Sequence, residues 1–313
     1  MREFQQPDPK IRAQIESSAH ANSNLCWTCG SCDFECPVNL ATGRLRPQKI
    51  VRMATLGFGE ELLNLPEVWY CLNCRRCMQI CPNAVKPALL IEYLRAESLR
   101  QGRMPVETAR RYRELFECFQ RVRWHAAAYC VDNRLDALED RRWQQWLDSP
   151  VSDHCSTIQP ELSGNGVAAA AADARMSACF TCGECSSACP VAAGREVFDP
   201  RVLFRMVNLG LTEALIASPA IWLCIACRRC TEACSQKVDG EKMIANLRKL
   251  ALERGAVDAD YPHRLEQADR VIYQRFLDEI DALFGFSHSS RAANEAFCLP
   301  ANPPPVCSEP ASA

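Results

Sequence analysis

Sixteen of the 21 cysteines in the sequence lie in four short runs that share one spacing. Two residues separate the first three cysteines of a run from one another, and three residues separate the third from the fourth. The runs are Cys26, Cys29, Cys32 and Cys36; Cys71, Cys74, Cys77 and Cys81; Cys179, Cys182, Cys185 and Cys189; and Cys224, Cys227, Cys230 and Cys234. Thiolates at this spacing can converge from one loop onto an iron–sulfur cubane, so the sequence predicts four 4Fe-4S clusters.

Two other uses of cysteine fit this pattern less well. Tetrahedral zinc typically draws two short cysteine pairs from separated loops and has little use for a third closely spaced thiolate. Disulfide frameworks belong to small secreted proteins, whereas this chain has 313 residues and an odd number of cysteines. Residues 1–21 are charged and polar rather than a signal peptide. Iron–sulfur chemistry is therefore favoured over both alternatives.

The rest of the composition argues against several other kinds of protein. With 36 basic and 38 acidic residues, the chain has no charge excess with which to bind nucleic acid or an anionic membrane. No apolar run approaches the roughly 20 residues of a transmembrane helix. We therefore expect a cytoplasmic protein without direct membrane insertion, peripheral at most through a partner. The remaining cysteines fit no ligand spacing: Cys118, Cys130, Cys155, Cys298 and Cys307.

The four runs form two pairs related by an internal repeat. Cys26 and Cys179 are 153 residues apart, and so are Cys71 and Cys224. Residues other than the cysteines that match at the same offset include Gly30 with Gly183, Pro47 with Pro200, Trp69 with Trp222, and Arg95 with Arg248. The chain is therefore a tandem pair of one unit, and each unit contains two cysteine runs.

Helices are predicted around the runs. In the second unit Asp199 and Gly210 fit the start and end of one helix, and Asp239 and Gly255 fit those of another. The first unit repeats the pattern more weakly, with a helix over residues 87–101. Apolar residues at helical spacing continue after each unit: Tyr112, Leu115, Phe116, Phe119 and Val122, and then Leu265, Ala268, Ile272, Phe276, Ile280 and Leu283. Alternating strand patterns are absent, so the predicted fold class is all-α.

These features predict two tandem α-helical domains with satellite helices. The first domain covers residues 1–155 and the second covers residues 176–298, each with its C-terminal helices. Residues 156–175, rich in glycine, serine and alanine, are predicted to be a linker. Residues 299–313, rich in proline and serine, are predicted to be a disordered tail.

Both units resemble the C-type subunit of heterodisulfide reductase, an α-helical ferredoxin with two 4Fe-4S clusters. The segments that carry the resemblance are Ile221-Trp-Leu-Cys224-Ile-Ala-Cys227-Arg-Arg-Cys230, Leu247-Arg248 and Gly255, with Trp69-Tyr-Cys71-Leu-Asn-Cys74 and Leu94-Arg95 in the first unit. The resemblance spans about residues 26–102 and 179–255. Two features depart from it, because the domain occurs twice and Ser235 replaces the proline that follows the other three runs. The same double-motif domain occurs in iron–sulfur subunits of glycolate oxidase and of succinate dehydrogenase-like enzymes.

By analogy with two-cluster ferredoxins, the fourth cysteine of each run is expected to cross to the cluster of the neighbouring run. The implied ligand sets are Cys26, Cys29, Cys32 and Cys81; Cys71, Cys74, Cys77 and Cys36; Cys179, Cys182, Cys185 and Cys234; and Cys224, Cys227, Cys230 and Cys189. Crossing would tie the two runs of a unit into one fold, so that cluster loss unfolds the unit.

Arginine pairs lie between cysteines in the second run of each unit: Arg75 and Arg76, and Arg228 and Arg229. Two interpretations are open. A positive charge beside a cluster would favour its reduced form, which makes these arginines candidate cofactor-binding residues. Alternatively, the side chains point to solvent or to a partner protein.

The leading functional hypothesis is a non-catalytic electron-transfer subunit of a heterodisulfide reductase-like complex. The resemblance implies a B-like catalytic subunit and an A-like flavin subunit or membrane cytochrome as partners. The catalytic subunit of that family carries paired Cys-Cys-Gly segments, and this sequence has no Cys-Cys dipeptide. Three alternatives stay open: an iron–sulfur subunit of a glycolate oxidase-like or quinone-linked oxidoreductase, an enzyme that reduces a small substrate at an open cluster, and a redox-responsive regulatory module.

Overall fold

The computed structural model describes residues 7–131, 143, 145–147, 149, 151, 171, 173–193 and 197–286. These residues form helices, turns and loops without a β-strand, which confirms the predicted all-α fold class. Most of the predicted linker and all of the predicted tail lie outside the described residues, as do Cys155, Cys298 and Cys307. No helix in the described part of the chain is both long and apolar enough to cross a membrane.

The first unit is built from short helices around the cysteine loops and two longer helices after them. Its helices are α1 (Pro9–Ala19), α2 (Ser31–Phe34), α3 (Pro37–Thr42), α4 (Pro47–Leu56), α5 (Gly59–Leu63), α6 (Glu67–Tyr70), α7 (Arg76–Gln79), α8 (Pro87–Arg100) and α9 (Val106–Val131), with a 3-10 turn at Ser23–Leu25.

The second unit repeats this order. Its helices are α10 (Glu184–Ala188), α11 (Pro200–Asn208), α12 (Thr212–Ile216), α13 (Arg229–Glu232), α14 (Gly240–Glu253) and α15 (Tyr261–Phe284), with 3-10 turns at Met176–Ala178, Val191–Ala193 and Pro219–Leu223. The predicted helix starts are confirmed, because the Asp199 carboxylate accepts from the Arg201 N–H at 2.9 Å and the Asp239 carboxylate accepts from Lys242 N–H at 3.2 Å. Gly210 ends α11 with a positive φ of 74°.

The long helices α9 and α15 each begin in their own unit and end in the other one. Leu115 of α9 belongs to the hydrophobic core of the first unit, whereas Ala127 belongs to that of the second. Conversely, Ala268 of α15 packs in the second core and Ile280 packs in the first. Two tail helices therefore join the units, and the predicted domains interlock instead of lying side by side.

Polar contacts fix the far end of each tail helix in the opposite unit. The Tyr261 hydroxyl donates to the Ala127 carbonyl at 2.9 Å, and Arg123 of α9 donates to the Leu223 carbonyl at 3.1 Å. At the other end, buried Asp281 accepts hydrogen bonds from Tyr70 and from Arg44 of the first unit. Because these groups are buried, losing one partner would leave an unpaired polar group in the core.

The two tail helices meet at a stacked aromatic pair. The ring centroids of Phe119 in α9 and Phe276 in α15 are 4.1 Å apart with an interplanar angle of 12°, and both side chains are fully buried. We expect Phe276→Ala to lower the free energy of unfolding by about 3–5 kcal/mol, because it opens a cavity where the units join. The matched control is Val271→Ala on the same helix, whose side chain is 49% exposed and whose loss should cost about 0.5 kcal/mol or less. Chemical denaturation of the cluster-loaded protein measures both, and equal costs would contradict the packing described.

Candidate metal centres

The cysteine loops share an unusual backbone. In every run the residues two and four positions after the first cysteine have positive φ: Thr28 and Gly30, Asn73 and Arg75, Thr181 and Gly183, and Ala226 and Arg228. Glycine occupies the second of these positions in two runs, whereas arginine holds the same left-handed conformation in the other two, which is uncommon for a side chain of that size. Such backbone turns point successive N–H groups into a concavity that attracts anions, including iron–sulfur clusters.

Backbone N–H groups already point at the first thiol of three runs. Thr28 N–H donates to Cys26 Sγ at 3.4 Å, and Asn73 N–H donates to Cys71 Sγ at 3.3 Å. Ala226 N–H makes the equivalent bond to Cys224 Sγ at 3.4 Å. Donors of this kind stabilise a thiolate over a thiol, so the loops suit the anionic sulfur ligands of a cluster.

The fourth cysteine of the first run lies with the second run. Cys36 lines one cavity together with Cys71, Cys74 and Cys77, and apolar residues such as Leu45 close it. Burial raises the pKa of the Cys36 thiol, and the neighbouring Cys71 and Cys74 thiolates raise it further. The structure therefore brings together the crossed set that the resemblance implied, around a space from which water is largely excluded.

The second unit has the same arrangement at both of its sites. One cavity is lined by Cys189 with Cys224, Cys227 and Cys230. Another is lined by Cys234 with Cys179, Cys182 and Cys185, and Cys230 reaches its wall. In this unit the fourth cysteine of each run thus lines a cavity with the first three cysteines of the other run, as the crossed arrangement predicts.

The remaining set is Cys26, Cys29, Cys32 and Cys81. A backbone hydrogen bond that occurs at equivalent positions in both units holds its two segments side by side. Lys86 N–H donates to the Ala21 carbonyl at 2.8 Å, which holds the segment after Cys81 beside the start of the first run. Asp239 N–H donates to the Ala174 carbonyl at 3.0 Å in the same place of the second unit. Among the described residues, no group of three cysteine, histidine or acidic side chains could hold a lone metal ion as it stands. The cysteines surround cavities instead, which suits a group larger than one ion.

The structure also explains why Ser235 can replace a proline. Pro37 is the first residue of α3, where its fixed φ suits a helix start directly after Cys36. Pro82 and Ser235, by contrast, lie in turns that begin no helix. The proline therefore has a structural role after Cys36 that it does not have at position 235.

The four arginines that the sequence singled out divide into two kinds. Arg75 and Arg228 each line a cavity of four cysteines. Arg75 pairs with Glu92 at 3.1 Å, whereas the residue equivalent to Glu92 in the second unit is Ala245, and Arg228 is exposed. Their place beside the cysteines is compatible with the predicted cofactor-binding role, which stays a prediction.

The other two arginines bridge the units instead of projecting to a partner protein. Arg76 donates to the Ile225 carbonyl at 3.1 Å and pairs with Glu35, and Arg229 donates to the Asn73 carbonyl at 2.9 Å. Each thus reaches the cysteine loop of the opposite unit. The alternative in which these two side chains face solvent is not what the structure shows.

These contacts form an interface that we call the seam, and it is close to two-fold symmetric. Gln79 donates to Glu232 at 2.7 Å, and these two residues occupy equivalent positions of the repeat. A contact between equivalent residues lies on a two-fold axis, as in the isologous interface of a dimer. Burial raises the pKa of Cys74 to about 12, and the Cys71 thiolate and, across the seam, the Cys227 thiolate add to the increase. The seam therefore brings the second cysteine runs of the two units together.

Two further arginines hold the cysteine loops, and neither was predicted to be a site residue. Arg95 donates to the Cys71 carbonyl at 2.6 Å and lies over the Trp69 ring. Arg248 donates to the Cys224 carbonyl in the same way, over Trp222. The available signal was their match at the repeat offset next to matching tryptophans. Both orient the loop through its backbone and place a positive charge beside it.

Comparison with known proteins agrees with this geometry. Residues 22–85 and 173–238 each match the family model of the 4Fe-4S dicluster domain. Each unit thus contains a segment that is similar to this domain, and the two matches support iron–sulfur clusters as the cofactor.

Several curated relatives are C-type subunits of heterodisulfide reductases. The heterodisulfide reductase C-subunit-like protein of Archaeoglobus profundus is 28% identical over 44% of this chain and 66% of its own length. The C-type subunit of the H2:CoB-CoM heterodisulfide,ferredoxin reductase of Methanothermobacter thermautotrophicus is 36% identical over 31% of this chain and 52% of its own. The resemblance inferred from the sequence is confirmed, and the chain spans about half to two thirds of the length of these relatives.

The crossed arrangement can be tested by substituting a fourth cysteine. Because Cys36 lines the cavity of Cys71, Cys74 and Cys77, we expect Cys36→Ser to change the same EPR signal as Cys74→Ser. Cys29→Ser, within the first run, is the control and should change a different signal. If Cys36→Ser reproduces the Cys29→Ser spectrum instead, each run holds its own cluster and the crossed assignment is wrong.

The space around Gly240 tests how closely the chain packs against the cysteine site of Cys230. A Cβ on Gly240 would lie 2.5 Å from Phe204 Cζ and 2.9 Å from Cys230 Sγ, and Phe204 is buried. We therefore expect Gly240→Ala to displace Cys230 and to lower the iron content from about 16 to about 12 atoms per chain. The control is Gly210→Ala, which has open space but a φ of 74° and should cost about 1 kcal/mol of stability without iron loss. Full iron content in Gly240→Ala would show that the added methyl group does not displace Cys230 from the site.

Proposed function

We propose that the chain is an electron-transfer subunit of a heterodisulfide reductase-like complex and that it holds four 4Fe-4S clusters. The observation that carries the proposal is the seam, where the second cysteine runs of the two units face each other. Arg76 and Arg229 each donate a hydrogen bond to the cysteine loop of the opposite unit there. Two separate binding domains would not need this arrangement. A continuous series of redox sites requires it, because electrons must pass between the units.

When bound, a 4Fe-4S cluster accepts and releases one electron without a bond being made or broken. The chain supplies the surroundings of that exchange. Apolar walls such as Leu45 and Phe198 exclude water from the cavities of the second runs. Arg95 and Arg248 hold the loop carbonyls and bring positive charge close to the sulfur ligands. Charge, hydrogen bonds and exposure are the factors that set cluster potentials, so the sites can differ in potential without further chemistry.

The proposal extends to partners and location. The relatives are named as C-type subunits of heterodisulfide reductases. We propose that this chain likewise connects an A-like flavin subunit or a membrane cytochrome with a B-like catalytic subunit, in the cytoplasm. All sixteen cysteines of the four runs are used as ligands in this proposal, so no iron is left open for a substrate.

The experiment is metal analysis and reduction of the anaerobically purified chain. We expect about sixteen iron and about sixteen sulfide per chain, which four cubanes require. The protein should accept about four electrons from a low-potential reductant yet reduce no disulfide, quinone or 2-oxo acid until a partner subunit is added. Steady substrate turnover by the chain alone would restore the hypothesis of an enzyme. Zinc in place of iron, or about half the expected iron, would contradict the four-cluster proposal.

A further inference from the structure

Two open clefts flank the seam, and the repeat makes them equivalent. Each lies between the loop of a second cysteine run, the long helix that follows in the same unit, and the end of the first run of the other unit. We call them the Cys71 cleft and the Cys224 cleft, and their volumes are about 550 Å³ and about 400 Å³. Both volumes lie within the range of small-molecule binding sites. The residues that line both clefts at the repeat offset include Arg95 and Arg248, Arg229 and Arg76, and Pro190 and Pro37.

The Cys224 cleft provides carboxylates for most of its arginines. Four arginines line it among the described residues, and three of them form an ion pair: Arg123 with Asp269 at 3.3 Å, Arg270 with Glu266 at 2.8 Å, and Arg76 with Glu35. The fourth, Arg248, donates to backbone carbonyls instead. The chain therefore neutralises most of the positive charge at this cleft with its own side chains.

The Cys71 cleft is lined by three arginines, and none of them has a carboxylate partner in the described part of the chain. Arg229 donates to the Asn73 carbonyl at 2.9 Å, and Arg95 donates to the Cys71 carbonyl at 2.6 Å. Arg113 of α9 is exposed and forms no ion pair with another described residue. The guanidinium groups thus meet only backbone oxygens or solvent.

The difference arises because the carboxylates that form these pairs have no equivalents at the Cys71 cleft. The residues that stand in place of Glu35, Glu266 and Asp269 are Ala188, Arg113 and Phe116. One carboxylate is gained, because exposed Glu117 stands in place of Arg270. The two clefts therefore differ by a single unit of net charge, and the missing partners are what distinguishes them. Cysteines of both second-run sites lie at each cleft, so bound clusters would act on the two clefts alike.

The positions of the three arginines suit a ligand with two negative groups. Arg95 and Arg229 are held by carbonyls two residues apart in one loop, so their guanidinium groups are neighbours. Arg113 follows Tyr112, whose ring centroid lies 5.5 Å from the Arg95 guanidinium carbon. Guanidinium groups bind carboxylates through paired N–H donors. One carboxylate can therefore be held by the first two arginines and a second by Arg113.

We propose that the Cys71 cleft binds a small organic dianion of the dicarboxylate class, which acts as an effector of electron transfer. The effector role rests on the electron-transfer function proposed above, whereas the binding does not. Cys71 and Cys189 line the cleft, and they belong to the two second-run sites. A dianion next to these sites disfavours further negative charge on a bound cluster, so binding makes both clusters harder to reduce. The ligand exchanges no electron, proton or bond with the chain.

The test supplies the missing carboxylates one at a time. Arg113→Glu introduces the residue type found at Glu266, and Ala188→Glu introduces the counterpart of Glu35 next to Arg229. The matched control is Arg111→Glu, which makes the same charge change at an exposed position of α9 that does not line the cleft. All three are measured in the cluster-loaded chain after its iron content has been checked. Arg113→Glu changes an exposed helix residue, so it carries the test even if Ala188→Glu disturbs the adjacent Cys189.

The probe is succinate, and titration calorimetry measures its Kd against those of sulfate, an inorganic dianion, and acetate, a monocarboxylate. We expect succinate to bind the wild type at least about tenfold more tightly than either, because only succinate places a carboxylate at both ends of the cleft. Arg113→Glu and Ala188→Glu should each weaken succinate binding at least about tenfold, since each removes or occupies a charged donor. Arg111→Glu should leave the Kd within about twofold of the wild type at about 0.1 M salt.

A redox titration followed by EPR tests the effector role. Saturating succinate should move the reduction of the signal that Cys36→Ser changes to lower potential. The signal that Cys29→Ser changes belongs to a first-run site and should stay in place. Binding without such a shift would overturn the effector role.

The remaining outcomes separate this proposal from the proposed function. Absence of saturable succinate binding up to about 10 mM, or unchanged binding in Arg113→Glu, would overturn the cleft as the site. Sulfate binding as tight as that of succinate would overturn the dicarboxylate assignment. Neither result touches the iron count or the reduction of the clusters. A chain whose clusters are absent or cannot be reduced would instead contradict the electron-transfer function, whether or not succinate binds.

Discussion

The structure depends on fourth cysteines that lie with the other run of their unit and not with their own. Cys36 belongs in sequence to the first run but lies in the cavity of the second, and Cys189 does the same in the second unit. Four thiols in one apolar cavity are poorly solvated, and burial raises their pKa, so without a bound group they gain little from being together. A cluster bound to all four as thiolates would offset this cost and hold the two runs of the unit together.

The contacts between the units build on that constraint. A cysteine of the first run lines the cavity of each second run, and the outer side of these second runs carries contacts such as Arg76 to the Ile225 carbonyl. The tail helices then pack over the seam, and the ring pair of Phe119 and Phe276 lies where they meet. Local hydrogen bonds, the seam and the tails thus stabilise one another, since each limits the motion of the next.

Much of this could be predicted from the sequence, because the strongest signals are local. The cysteine spacing, the 153-residue offset and caps such as Asp199 are properties of short segments, and the structure contains the corresponding loops and helices. The exchange of tail helices could not be predicted. The apolar stripe through Phe276 is the same whether the helix packs on its own unit or on the other one. The sequence pattern therefore does not show which of the two cores buries the helix. The arginine pairs were ambiguous for a similar reason, since a charge beside a cysteine can face a cavity, the seam or solvent. Arg95 and Arg248 stood out as matches within the repeat and in the segments that carry the resemblance, but neither signal showed that they hold the cysteine loops.

The near-symmetry of the seam has a consequence for how the two ends of the chain could come to differ. In a dimer of identical subunits, every change of sequence appears on both halves, so both exposed faces must suit the same neighbour. Here Gln79 meets Glu232, and these equivalent residues are already unlike, which no identical pair could achieve. Joining the copies in one chain frees each half to vary alone while the shared interface is kept. A molecule with an internal two-fold axis can thereby have two ends that differ in sequence and in what they bind.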